Sequence, residues 1–121
     1  MAPIRSFRDL IVWQRSMDFA VAAYALSRRF PKEERFEMAA QLRRAAVSVS
    51  SNIAEAAGRS AKKDRRHFYV ISGGSLKECE SLLLLAQRLG YLHDSDCKGA
   101  FALCDETGRM LTRLRQKLTS P

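Results

Sequence analysis

Proline occurs only at positions 3, 31 and 121 of this chain. A proline inside a helix removes a backbone donor and collides with the preceding turn, so its absence leaves long stretches free to be helical. The other punctuation is Gly58-Arg59-Ser60 and the run Gly90-Tyr91-Leu92-His93-Asp94. Between these breaks the segments are rich in Ala, Leu, Arg, Glu and Gln, which are good helix formers. No segment alternates apolar and polar residues as a strand would. The 121 residues make one domain, 1–121, with helices expected at about 7–29, 34–57, 61–89 and 95–118. Such helices are about 33 to 42 Å long. Short connections make consecutive helices antiparallel. The expected fold is all-α, an up-down-up-down left-handed four-helix bundle.

Local signals refine the ends. Ser6, Ser60 and Asp94 are expected N-caps. Gly58 is suited to a left-handed residue closing the second helix, and Gly90 to the stop of the third. On the first helix Leu10, Trp13, Met17, Ala20 and Tyr24 share one face, and Val12, Phe19, Ala23 and Leu26 make a second apolar row. Two rows exceed what one core requires, which points to oligomerisation. Ala39, Leu42, Ala46, Val49 and Ile53 form a heptad-like seam on the second helix. Phe68, Ile71, Ser75, Leu82, Ala86 and Leu89 are expected inside on the third. On the fourth the expected face is Phe101, Cys104, Gly108, Leu111 and Leu118, with Leu103, Met110 and Leu114 beside it.

The net charge of +8 attracts polyanions, and the topology gives that charge a place. One end of the bundle gathers Arg5, Arg8, Arg59, Lys62, Lys63, Arg65, Arg66, Arg109, Arg113, Arg115 and Lys117. At the other end Glu33, Glu34, Glu37, Asp94 and Asp96 largely offset the cations. Arginine holds phosphate through two hydrogen bonds and lysine acts as a point charge. The candidate nucleic-acid contacts are therefore Arg59, Lys62, Lys63, Arg65, Arg66, Arg109 and Arg113. Contacts of this kind imply salt sensitivity without base readout. Tyr69 could stack on a base, though an aromatic beside a core row more often packs inside.

A second ordered face runs along helix two. Gln41, Arg44, Ser48, Ser51, Asn52, Glu55 and Arg59 recur at three-to-four spacing roughly opposite the apolar seam. On helix three Gly73 and Gly74 lie inside a helix, where each costs up to about 1 kcal/mol relative to Ala. Close approach of another helix, in the same chain or in another subunit, would offset that cost. Gln41, Arg44, Ser48, Asn52, Glu55, Gly73 and Gly74 are the candidate interface or polar cluster.

Catalytic patterns are absent. Asp64-x-x-His67 has the spacing of one metal-binding pair, but a di-metal bundle needs two. Gly73-Gly74 lacks the lysine of a phosphate loop. Cys79, Cys97 and Cys104 match no zinc spacing and read as small apolar fillers. No catalytic residue, metal or cofactor is expected. Unpaired cysteines with no secretory leader point to a reducing, cytoplasmic setting, and no apolar run is long enough to span a membrane.

Five motifs carry a resemblance: Phe7-x-x-Leu10-x-Val12-Trp13-Gln14, Phe30-Pro31-x-x-Glu34, Gln41-Leu42-Arg43-Arg44-Ala45-Ala46-Val47-Ser48, Ser51-Asn52-Ile53-Ala54-Glu55 and Gly74-Ser75-Leu76-x-Glu78. Together they resemble the four-helix-bundle proteins related to those encoded in 23S ribosomal RNA intervening sequences, with similarity to the accessory variability protein of diversity-generating retroelements. Ala56 stands where that family commonly has Gly. The resemblance implies an up-down bundle that assembles as a homopentameric ring, and a basic ring that works with nucleic acid. The expected function is that of a non-enzymatic, homo-oligomeric basic adaptor that binds RNA or DNA through one end. The rival readings are a structural module with an acidic protein partner and an enzyme built on the helix-two polar cluster.

Overall fold

The structure, a computed structural model, describes residues 6–119; Arg5, placed by the sequence in the basic end, lies outside them. Four helices account for most of the described chain: α1 Ile11–Ser27, α2 Met38–Ala57, α3 Lys62–Arg88 and α4 Asp94–Thr119. Each packs against two others, in the order α1–α2–α3–α4 with α4 closing on α1. Cross-helix contacts fix the directions. Arg15 meets Glu106 at 2.7 Å while Arg29, just beyond α1, meets Asp96 at 2.8 Å, so α1 and α4 run antiparallel. Ser48 with Ser75 and Gln41 with Glu78 do the same for α2 and α3. The start of α1, the α2–α3 connection and the end of α4 therefore share one end of the four-helix bundle.

Helix ends depart from expectation in instructive ways. Ser6 is a cap, but of a short 3-10 turn, Phe7–Asp9. Its hydroxyl accepts from the Arg8 amide while the Asp9 carboxylate accepts from the Ser6 amide. Leu10 is extended, so α1 starts at Ile11 rather than Phe7. The break is held by Gln14, whose side chain donates to the Arg8 carbonyl at 2.9 Å, and by the edge of the Trp13 ring against Phe7. Pro31 enters a second 3-10 turn, Lys32–Glu34, which delays α2 to Met38. Gly58 is not left-handed; its φ is −85°. Gly90, at φ +81°, takes that conformation and closes α3. The Tyr91 amide donates to the Ala86 carbonyl and the Gly90 amide to that of Gln87, the paired bonds of a Schellman motif. Ser60 does not cap α3. Ala61 holds the cap position, with no side-chain hydrogen bond. Asp94 lies inside the first turn of α4 rather than before it.

The cap at α4 falls instead to Asp96, whose carboxylate accepts from the His93 amide at 3.0 Å and from Arg29. These bonds hold its carboxyl below the ordinary aspartate range, the Arg29 bond most of all. The depressed value fixes the sign of the pH dependence. Stability from ionised Asp96 is complete above the unfolded-state value of about 3.9 and is lost as pH falls through the lower folded value. In thermal melts, Asp96→Asn is expected to fall below the parent at pH 7 and to converge with it only in acid. A constant gap across that range would show that the charge is not involved.

The core seams are heptad-like on all four helices, but on three of them they are not the expected rows. On α2 the reading holds: Ala39, Leu42, Ala46, Val49 and Ile53 are all buried. On α1 the inward row is Val12, Ser16, Phe19, Ala23 and Leu26, the one ranked second from sequence. Met17 is 39% exposed, and Leu10, Trp13 and Ala20 are only partly buried. On α3 the seam is Tyr69, Ser72, Leu76, Cys79, Leu83 and Ala86, about one residue round from the expected face. Leu82 and Ala86 stay inside, whereas Ile71 and Leu89 are exposed. Tyr69 is core and not a stacking surface. On α4 the row is Cys97, Ala100, Cys104, Thr107 and Leu111, with Phe101, Leu114 and Leu118 flanking it.

Hydroxyl residues are buried on all four helices: Ser16, Ser72 and Thr107 in the inward rows of α1, α3 and α4, and Ser50 beside the apolar row of α2. Ser16 donates to the Trp13 carbonyl, Ser50 to that of Val47, and Ser72 across to that of Val49 on α2. The Thr107 hydroxyl is buried with no partner among the described residues.

Candidate nucleic-acid interface

The α2–α3 connection begins the basic end. Arg59 is held twice: it pairs with Glu55 at 2.6 Å, and its guanidinium lies 4.8 Å from the centre of the Phe68 ring. That leaves it less free than the residues that follow. Lys62, Lys63 and Arg66 are exposed and Arg65 is half-buried. None of these four makes an ion pair with a described residue. They occupy the first five residues of α3, together with Asp64. A helix N-terminus already presents free amides and positive dipole charge, and here no side chain caps it. Cations at this position oppose the dipole, an arrangement that folding alone does not favour and that a bound anion would relieve. His67 packs its ring against the edge of Phe68.

Of the remaining described cations of this end, Arg8 lies on the first 3-10 turn and the others on α4. Arg109 pairs with Asp105 at 3.2 Å, and both are well exposed. Arg113 is exposed without a carboxylate partner among the described residues. Arg115 donates weakly to the Thr112 hydroxyl at 3.4 Å. Together with Lys77, which pairs with Glu80, these residues rim a groove of about 760 Å³ between α3 and α4. Its floor includes Gly73, Gly74, Gly108 and Leu76.

That groove joins two sets of residues which the sequence kept apart. Gly73 and Gly74 were grouped with the helix-two polar stripe, but they line the same groove as Arg109 and Arg113. A methyl group on Gly74 would meet nothing within 4 Å, and one on Gly73 would meet only the Arg115 guanidinium at 3.7 Å. A tight crossing within the chain therefore does not explain them. Gly74→Ala is expected to raise stability by about 0.5–1 kcal/mol in urea unfolding, through the helix propensity of Ala. A loss of stability would mean that a neighbour needs the space. Arg115, Lys77 and Gly108 were not singled out for this site. They become legible only once the antiparallel register of α3 and α4 sets their rows opposite each other.

The polar stripe of α2 is divided. Gln41 donates to Glu78 at 3.1 Å, Ser48 and Ser75 share a hydrogen bond of 2.7 Å, and Asn52 donates to the carbonyl and hydroxyl oxygens of Ser48. This side of the stripe is a polar seam with α3 inside one chain. Glu55 is committed to Arg59. Arg44 faces elsewhere, lining a shallow groove with Tyr24, Ala40, Arg43 and Val47. Arg44, Asn52 and Glu55 thus do not converge on one centre. Nearby on α1 and α2, Val21 is 69% exposed and Met17 and Val47 are also partly open, an apolar strip on the outside of the bundle.

The buried cysteines are free thiols. Burial pushes Cys79 up to about 12 and Cys104 to about 11, so neither supplies a thiolate at neutral pH.

The family model for the 23S rRNA-intervening sequence protein matches residues 8–113. The chain belongs to this family. The match runs from the first 3-10 turn through Arg113 of α4, and so includes the α2–α3 connection and most of the α3–α4 groove. No curated protein sequence matches this family member. Among its described residues, no helix is long and apolar enough to cross a membrane.

Proposed function

We propose that this protein is a non-enzymatic, homo-oligomeric, cytoplasmic adaptor whose basic end binds RNA or DNA. The observation that carries the reading is the unpaired group Lys62, Lys63, Arg65 and Arg66 at the uncapped start of α3. Arg59, Arg109 and Arg113 extend the same field. Phosphate contacts of this kind supply affinity and orientation, and leave sequence readout to other groups. Assembly is supported by the outward apolar strip of Met17, Val21 and Val47, and the family resemblance makes a pentamer the expected form. Closed rings of identical subunits need two different, complementary faces on each subunit. A ring would repeat the basic end around its axis and multiply weak contacts by raising the effective concentration of each.

Filter binding to RNA and DNA across a salt series tests the reading. Affinity should fall linearly with log salt, with a slope of about −0.9 per phosphate contact on duplex and about −0.7 on single strands. Absence of binding at low salt, or affinity indifferent to salt, contradicts it. A partner captured from lysate that survives nuclease treatment would point to an acidic protein instead.

A further inference from the structure

We infer that the α3–α4 groove holds a single strand of nucleic acid by its phosphates, an assignment that rests on the polyanion reading above. Neighbouring helix axes lie about 8–10 Å apart. The groove is therefore a surface furrow, which seats one phosphate strand; the two strands of a duplex stand about 6–12 Å apart across its grooves, so only one of them can enter. The groove, about 760 Å³ in volume, opens along both helices and runs toward the basic end. From Arg109 to Arg115 the helix rises about 9 Å, so the cations on α4 are strung along the groove rather than gathered at one point.

The floor of the groove gives the second argument. Gly73 and Gly74 weaken α3, yet an added methyl group on Gly74 would meet nothing within 4 Å, and one on Gly73 only the Arg115 guanidinium at 3.7 Å. Their effect is to keep the backbone approachable from outside. Charge decides between occupants. Asp105 and Glu80 answer Arg109 and Lys77, while Arg113 and Arg115 have no carboxylate among the described residues. A second copy of the chain carries +8 and is poorly matched to this rim, whereas a phosphate backbone is matched at Arg113 and Arg115 and passes the ion-paired carboxylates Glu80 and Asp105 farther along.

The test is fluorescence anisotropy at low salt, using a labelled oligouridine strand of about 15 nucleotides and a duplex of the same length. The intact protein is compared with Gly74→Leu and with the double variant Arg113→Gln/Arg115→Gln. The unmodified chain should prefer the strand. Gly74→Leu should keep its helical circular dichroism and melt no lower than the parent, yet bind the strand about tenfold more weakly because the floor is filled. The double variant should lose about tenfold as well, with a shallower salt slope. If both variants bind like the parent, the groove assignment is overturned while the basic-end reading stands. Equal or tighter binding of duplex by the parent also overturns it. A Gly74→Leu protein that changes its mass in light scattering but not its strand affinity shows the groove to be a subunit contact. If the unmodified chain binds neither probe, the polyanion reading itself fails, and this inference fails with it.

Discussion

Replacing Lys62, Lys63, Arg65 and Arg66 together with glutamine is expected to weaken RNA binding by at least about 100-fold at low salt and to flatten the salt slope by about 3 units. The reasoning is arithmetic. Each phosphate neutralised by a cation releases condensed counterions and contributes about 0.7 to 0.9 to the slope, so four contacts carry about 3 or slightly more. The same change should leave the fold intact, because none of the four pairs with a described carboxylate and removing them relieves repulsion at the start of α3. Filter binding gives the affinity and circular dichroism gives the fold. Arg59→Gln is the instructive contrast. That side chain already serves Glu55 and Phe68, so its loss should cost some local stability and less affinity than an unpaired neighbour. A quadruple variant that binds as tightly as the parent, with the same slope, would remove the basic end from consideration.

The second large effect concerns the core. Phe19→Ala is expected to destabilise the protein by about 3–5 kcal/mol, since Phe19 is fully buried and truncation leaves a cavity as well as lost apolar contact. Against a total of about 5–15 kcal/mol for a domain, this is a large fraction, and urea unfolding would show it directly. Val21→Ala, two residues on, should change stability by less than about 0.5 kcal/mol in the isolated chain, because Val21 points outward. If chains associate through this strip, the Val21 effect grows with protein concentration. The pair thus separates the row that builds the core from the row left over for assembly. A Phe19 effect no larger than that of Val21 would contradict the assignment of the inward row.

The difference between those rows marks how far the sequence could be read. Four helices, their breaks and their antiparallel order follow from the placement of Pro31, Gly58-Arg59-Ser60 and the Gly90 run, because these interrupt otherwise strong helix-forming segments. The α2 seam was legible because Ala39, Leu42, Ala46, Val49 and Ile53 are apolar without exception. The other seams were obscured by single hydroxyl residues. Ser16, Ser72 and Thr107 stand in the inward rows of α1, α3 and α4. A pattern search that scores hydroxyls as polar prefers the neighbouring row of Trp13 on α1 and of Phe101 on α4; on α3 both rows carry a serine, Ser72 or Ser75, and the bulk of Phe68 and Ile71 favours the wrong one. Ser16 and Ser72 are tolerated inside because each donates to a backbone carbonyl, which removes most of the cost of burying a hydroxyl. For Ser72 the acceptor lies on α2 and has no signature in the linear pattern; for Ser16 it lies in the same turn, a bond open to any helical serine.

The candidate site divides along the same line. The collection of cations at one end was legible, because it needs only the order of helices and the positions of charged residues. The pairing of those cations was not. Arg59 looked like the first of five equivalent phosphate contacts, but Glu55 lies one turn before it and Phe68 lies across the connection. Gly73 and Gly74 looked like a place where helices cross tightly. In the structure they open onto a groove, because α4 presents Gly108 and Thr112 to this side of α3 and sends Arg115 across it. The spacing of the α2 polar stripe suggests a face in search of a partner. Its Gln41 and Ser48 already have one in α3, and Arg44 remains on the outside near the apolar strip.

The most direct test of an assembling, polyanion-binding bundle is the mass of the particle in solution by light scattering, measured alone and with a single-stranded oligonucleotide at low salt. The account predicts a multiple of the 13.7 kDa chain, five by the family resemblance, that gains the mass of bound oligonucleotide and releases it as salt is raised. A particle of one chain whose mass is unchanged by oligonucleotide would contradict it.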